Sequence, residues 1–223
     1  GDNISLLNND AGYEKSQLQK VTEGSNIGYR LLGYDPAKYA PVGNGSVDLS
    51  LVSSTAPDND YGVSSPNAFS FGLDNKIKTI DGGGAFGGGN IIAGSYSNFA
   101  IGGSNEVGGF FGNGAIGAFN KIIQGYTSWA IGAYNRVENS TNGFGLTAGM
   151  NNKIYGINTF AFGTALYSNS RSTFVTGLAN TEYTELDNDS TRPLFIVGNG
   201  TTSTPSGAWE AISRSDAFRV RYD

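Results

Sequence analysis

GGSNEVGGFFGNGAIGAFNKI, residues 102–122, carries seven glycines, two charges and no histidine, the composition of a flexible linker. Yet it places Ile116, Phe119 and Ile122 at spacings for which a linker has no use. Sliding the chain against itself explains them. An Ala-(Ile/Phe)-Gly-x-x-Asn-x-(Ile/Val) unit appears as AFGGGNII from Ala85, AIGGSNEV from Ala100, AIGAFNKI from Ala115 and AIGAYNRV from Ala130. With SFGLDNKI upstream, Gly72, Gly87, Gly102, Gly117 and Gly132 stand 15 residues apart. The stretch is one turn of a repeat array. Downstream, TAGMNNKI puts Gly149 at a step of 17, and AFGTALYS and VTGLANTE put Gly163 and Gly177 at steps of 14. The extra residues within ENSTNGF, Glu138 to Phe144, mark an expected surface loop.

The period decides the architecture. A step of 14–17 residues is too short for helical repeats or propeller blades, and fits two short strands with two tight turns. The sequence therefore predicts an all-β fold, a parallel β-roll (solenoid) of about eight such rungs, with small β-rich flanking segments. Eight rungs at strand spacing make a rod of roughly 38 Å. The expected divisions are an N-terminal connector over 1–62, the roll over 63–182 and a C-terminal cap over 183–223.

Alternation along each strand assigns faces. The columns three and one before each glycine, such as Phe69, Phe99, Trp129 and Phe160, and Phe86, Ile101, Ile116 and Ile131, are mostly large and apolar. They read as the core. The small column between them, Ala85, Ala100, Ala115, Ala130 and Ala161, then faces outward, where a run of small apolar residues suggests close approach of another copy of the chain. Asn75, Asn90, Asn105, Asn120, Asn135 and Asn152 sit three residues after their glycines and read as a turn ladder, each amide bonding to neighbouring rungs.

Composition narrows the function. With no histidine and no cysteine, the Ser–His and Cys–His nucleophile pairs and thiolate or imidazole metal sites cannot be built; no cofactor or metal is expected. A net charge of −5 argues against nucleic acid, which needs a basic patch. No apolar run is long enough to span a bilayer, so no membrane insertion is expected. Gly82-x-Gly84-x-x-Gly87 matches a dinucleotide fingerprint only as a pattern, because it lies inside the repeat register rather than at a strand-to-helix turn. A glycosidase needs two cooperating carboxylates. Residues 63–181 offer Asp74, Asp81, Glu106 and Glu138, three of them at turn positions beside the asparagine column.

AIGGSNEV, AIGAFNKI and AIGAYNRV resemble the head repeats of trimeric autotransporter adhesins, over about residues 63–182. That resemblance implies a left-handed roll, a homotrimer and adhesion to a surface. The flanks resemble a different carrier. DNISLLNNDAGY, Asp2 to Tyr13, is similar to a connector of bacteriophage tail fibres, and RPLFIVGNGTTSTPSGAWEAISRSDAFRV, Arg192 to Val220, to a segment that precedes a C-terminal chaperone in fibres and tailspikes. Together they imply a homotrimeric tail-fibre protein of the virion tail, joined to an upstream shaft, that recognises a host cell-surface receptor such as a glycan without catalysis. The alternative carrier is a bacterial surface adhesin, and a polysaccharide-cleaving tailspike is the enzymatic rival. The trimer interface then falls on Ala85, Ala100, Ala115, Ala130 and Ala161. The receptor candidates are Tyr96, Phe111 and Tyr126, six residues before their glycines and read either as corner core or as an exposed ridge, and Phe119 and Tyr134, two residues after theirs and read as exposed.

Overall fold

The computed structural model describes residues 17–53, 59–138, 143–183, 192–203 and 211–221. The connector motif at 2–13, the centre of the linker at 54–58, the loop at 139–142 and the segments 184–191 and 204–210 lie outside them. The described residues form an all-β parallel solenoid of about nine turns. One long sheet runs through Val47–Leu51, Phe69–Leu73, Gly84–Gly88, Phe99–Gly103, Gly114–Ala118, Trp129–Ala133, Gly145–Met150, Thr159–Thr164, Phe174–Leu178 and Pro193–Asn199, all parallel. A second sheet of eight strands, from Gly62–Val63 to Tyr167–Ser168, forms the opposite wall.

Register follows the repeat without slippage: Ala85, Ala100, Ala115 and Ala130 pair in sequence, as do Gly87, Gly102, Gly117 and Gly132. The in-register pairing also runs past the repeat at both ends. Asp48 pairs with Ser70 and Ile196 with Val175, so strands from both flanking segments belong to the roll.

Each rung turns at two corners, most of them built on a residue with positive φ followed by a buried polar one. At the first corner Asp74, Ser104, Phe119, Tyr134 and Asn151 have φ of 53 to 57°, and the next residue is the ladder asparagine. Asn90 donates its Nδ2 to Asn75 Oδ1 at 3.1 Å, Asn105 to Asn90 at 3.0 Å, Asn120 to Asn105 at 3.1 Å and Asn135 to Asn120 at 3.0 Å. The same Nδ2 groups reach forward to the glycine carbonyls of the following rung, as from Asn90 to Gly102 and from Asn105 to Gly117, each 2.9 Å. Every ladder member from Asn75 to Asn152 is buried, so these bonds satisfy amides that would otherwise be costly to bury. The expected turn ladder is present.

The glycine column has its own cause. Gly72, Gly87, Gly102, Gly117, Gly132, Gly149, Gly163 and Gly177 all have positive φ. A Cβ on Gly117 would lie 1.9 Å from the carbonyl oxygen of Gly132, and one on Gly102 would lie 2.0 Å from that of Gly117. The rungs stack too closely there for any side chain.

The core is narrow and reverses the expected faces. Ala85, Ala100, Ala115, Ala130 and Ala161 are fully buried inside the roll, opposite Ile77, Ile92, Val107, Ile122, Val137 and Ile154. The alanines of one chain therefore cannot contact another copy, and the interface expected there is corrected. The large column lies outside instead: Phe86 is 39% exposed, Ile101 39% and Ile131 40%, while Phe69, Phe99, Trp129 and Phe160 are half-buried. Size rather than polarity decided the faces. Two tight corners per rung hold the walls so close that an alanine facing an isoleucine or valine fills the gap, and larger pairs would overpack it.

Polar residues close the N-terminal end. Asp48 takes the core position held by alanine in later rungs, is buried, and accepts a bond from the Val63 amide at 3.2 Å. Arg30, also buried, lies with its Nε 3.7 Å from Asp48 Oδ2 and its Nη1 3.0 Å from Glu23 Oε1, over the rings of Tyr34 and Tyr39. Burial pushes the Asp48 carboxyl above the usual carboxylate range and raises the Tyr39 phenol to about 12. The antiparallel hairpin Leu18–Glu23 and Asn26–Leu31 ends the long sheet on this side. Strand Asp216–Arg221, antiparallel to Pro193–Asn199, ends it on the other.

Two glycines of one rung pair test the stacking. Gly117→Ala should lower stability by at least about 2–3 kcal/mol, from forced positive φ plus the clash, whereas Gly103→Ala, whose Cβ would sit 3.8 Å from its nearest neighbour, should stay within about 0.5 kcal/mol of the native protein. Chemical unfolding followed by circular dichroism measures both.

Candidate functional site

The two walls of the roll differ outside. On the second sheet, Lys76, Ile91, Glu106, Lys121 and Arg136 form one outer column, with Lys121 Nζ 2.5 Å from Glu106 Oε2. This is a solvated face whose exposed ion pair adds little stability. The long sheet carries rings and branched aliphatics along its whole length. Phe71 stacks on Phe86 at 4.9 Å between centroids, Phe162 on Phe174 at 5.6 Å and Phe174 on Phe195 at 5.5 Å. Two glycines in the outer column make room for rings of the adjoining rungs. A Cβ on Gly84 would meet Phe69 Cζ at 2.3 Å, and one on Gly114 would meet Trp129 Cζ3 at 2.4 Å. Such a continuous apolar face is far larger than the scattered exposed residues normal on a monomer surface.

The corners carry the remaining aromatics. At the first, Phe119 and Tyr134 are exposed and stack at 4.9 Å with planes 8° apart. Both occupy the positive-φ position, where a non-glycine residue costs about 1–2 kcal/mol. At the second corner Tyr96, Phe111 and Tyr126 are bridged rung to rung. Tyr96 and Phe111 stack at 5.4 Å with planes 7° apart. Tyr96 and Phe111 are exposed and Tyr126 is half-buried, so of the two readings of this column the exposed ridge holds. All five receptor candidates thus lie on the surface, divided between opposite corners rather than gathered in one site.

Sequence reading missed three features of the second corner. Phe110 is exposed and stacks on Tyr126 at 4.8 Å. Asn98 and Asn113 form a second ladder, Asn113 donating its Nδ2 to Asn98 Oδ1 at 3.0 Å, and Ser128 continues it by donating its backbone N–H to Asn113 Oδ1 at 2.8 Å. The signal was there: Asn98, Asn113 and Ser128 are themselves 15 residues apart.

The four carboxylates of the repeat each have partners of their own. Asp74 accepts from the Ser53 amide at 2.7 Å, and Asp81 from Asn67 Nδ2 and the Gly82 amide, both at 2.9 Å. Glu106 pairs with Lys121 and Glu138 with Arg136. Among the described residues no group of three or more acidic, histidine or cysteine side chains gathers as a metal site would require. A cavity of about 530 Å³ opens at the C-terminal end, lined by Tyr183, Arg214, Asp216 and Arg219 among others. There Arg214 is paired with Glu182, and Arg219 lies over the Tyr183 ring. Compared with known families, curated proteins and solved structures, the chain matches none.

The strained ring at position 119 supplies a test. Phe119→Gly removes an unfavourable backbone conformation and a stacked pair worth about 0.5–1.5 kcal/mol. The two changes offset, and stability should move by less than about 1 kcal/mol, measured by thermal unfolding. A loss of several kcal/mol would make the ring a structural part of the corner.

Proposed function

We propose that the protein is a non-catalytic adhesive segment of a bacteriophage tail fibre, a homotrimer that recognises a receptor on the host cell surface. One observation carries this reading: apart from Thr176, the outer column of the long sheet is apolar from Leu49 to Val197, and nothing among the described residues covers it. Other copies of the same chain are the natural cover, because every rung presents the same column in the same register and the opposite wall is charged. Threefold symmetry and a left-handed coil come from the resemblance of the repeats to trimeric adhesin heads. The resemblance of the flanks to fibre connectors favours the virion tail and a shaft upstream.

Assembly places three sets of aromatic corners on one rigid body. Weak individual contacts then add through high effective concentration, which suits attachment to a surface dense in identical receptors. The head of a bacterial surface adhesin is the second reading, favoured by the AIGAFNKI-type repeats, and it rests on the same physics with a different carrier. A polysaccharide-cleaving tailspike would need a pair of cooperating carboxylates, and the partners of Asp74, Asp81, Glu106 and Glu138 do not favour it.

Light scattering tests the assembly. The native protein should have a mass about three times 23.3 kDa. Ile101→Asp combined with Ile131→Asp, two charges on the outer face, should reduce it to that of one chain or prevent folding. Ala115→Val, confined to the core, should lower the melting temperature and keep the trimer mass. A native monomer, or a double aspartate variant that keeps the native mass, would overturn the proposal.

A further inference from the structure

We infer that the second corner of the roll, built from Tyr96, Phe110, Phe111 and Tyr126, is a binding site for a neutral saccharide chain lying along the roll axis. The inference rests on the adhesive reading and assigns its ligand class.

The four rings form one patch over three consecutive rungs. Phe111 stacks on Tyr96, Phe110 on Tyr126 at 4.8 Å, and Phe111 tilts at 50° against Tyr126, 5.7 Å away. The backbone fixes this spacing, because Tyr96, Phe111 and Tyr126 are bridged in parallel and the second asparagine ladder runs directly behind them through Asn98, Asn113 and Ser128. A ligand meets rings already held in place, which lowers the ordering cost of binding.

Polar groups interleave with the rings. Ser97 and Thr127 follow Tyr96 and Tyr126, are exposed, and take positive φ. Tyr96 and Tyr126 add phenol groups. One rung back in the same column as Tyr96 stands Asp81. Rings that contact C–H faces, bordered by hydroxyl and carboxylate groups that bond to ligand hydroxyls, match the mixed character of a sugar.

Charge and size narrow the occupant further. Residues 80–82, 95–97, 110–112 and 125–127 contain one carboxylate and no lysine or arginine, so an anionic sugar would find repulsion and no counter-charge. The patch extends only roughly 10 Å along the axis at strand spacing, too little for its area to approach the roughly 800 Å² per partner that a stable protein interface buries. A short stretch of uncharged saccharide fits it; a second copy of the chain does not. The first corner offers only the two rings of the Phe119–Tyr134 pair, against four contiguous rings at the second.

The test is carbon-detected titration of the full chain labelled in its phenylalanine and tyrosine rings. The probes are maltohexaose, cellohexaose and N-acetylated chitohexaose, with hexagalacturonate as the anionic control. At least one neutral probe should shift the ring signals of Tyr96, Phe111 and Tyr126. Phe111→Ala should weaken that binding about tenfold or more while leaving the solution mass unchanged, and hexagalacturonate should bind at least tenfold more weakly. Three results would each overturn the assignment: no corner shift with any neutral probe, equal binding of the anionic control, or a change of mass in Phe111→Ala, which would make the corner a contact between copies. Binding of the protein to whole bacterial cells separates the two readings. Cell binding with unshifted rings would refute this site and leave adhesion standing, whereas shifted rings without cell binding would refute adhesion and leave the saccharide site.

Discussion

One contact recurs through the roll and constrains nearly everything else: the buried asparagine amide that bonds back to the previous asparagine and forward to a glycine carbonyl of the next rung. Those carbonyls lie so near the glycine of the preceding rung that no Cβ fits between them. Asparagine and glycine are therefore two halves of one device. The amide needs the carbonyl, and the carbonyl's position forbids a side chain on its neighbour. Repeating the device every 15 residues fixes the pitch, the register and the tight first corner, and that corner in turn brings the two walls together.

The thin interior follows from those corners, and so does the character of the surface. A core of alanine against isoleucine or valine leaves no room for phenylalanine or tryptophan, so the rings that a thicker sandwich would bury are placed outside. In a single chain they cover one another only partly, in stacks such as Phe71 on Phe86. Apolar area left in water is the main reason such a surface associates. Fold and surface are thus linked by geometry: the same closeness that makes the roll compact leaves rings and branched aliphatics on one of its outer faces.

This linkage explains which parts of the structure could be read from the sequence. The period, the parallel roll and the asparagine ladder follow from residue spacing alone, because they depend on backbone repetition. The faces of the long strand did not. Period-two alternation separates Ala115 from Ile116 and Gly114 but does not say which side is inside, and the usual preference for burying the larger residue holds only where the interior has room. The flanks were harder still. Asp48 and Ile196 occupy the core column without the Ala-x-Gly signature, so their strands became visible only through pairing. The second ladder was overlooked because its third member is a serine, Ser128, which shares with asparagine the ability to bond across rungs but not the name.

Trp129 reports on the central claim, since it lies half-buried on the long sheet's outer face. The most direct measurement is acrylamide quenching of its fluorescence in a Trp209→Phe background, which leaves Trp129 as the one indole of the chain. If other copies cover the face, Trp129 should be quenched no more than a fully buried indole. Quenching at the level of a half-exposed indole would mean that the face stands open to water, contradicting assembly through it.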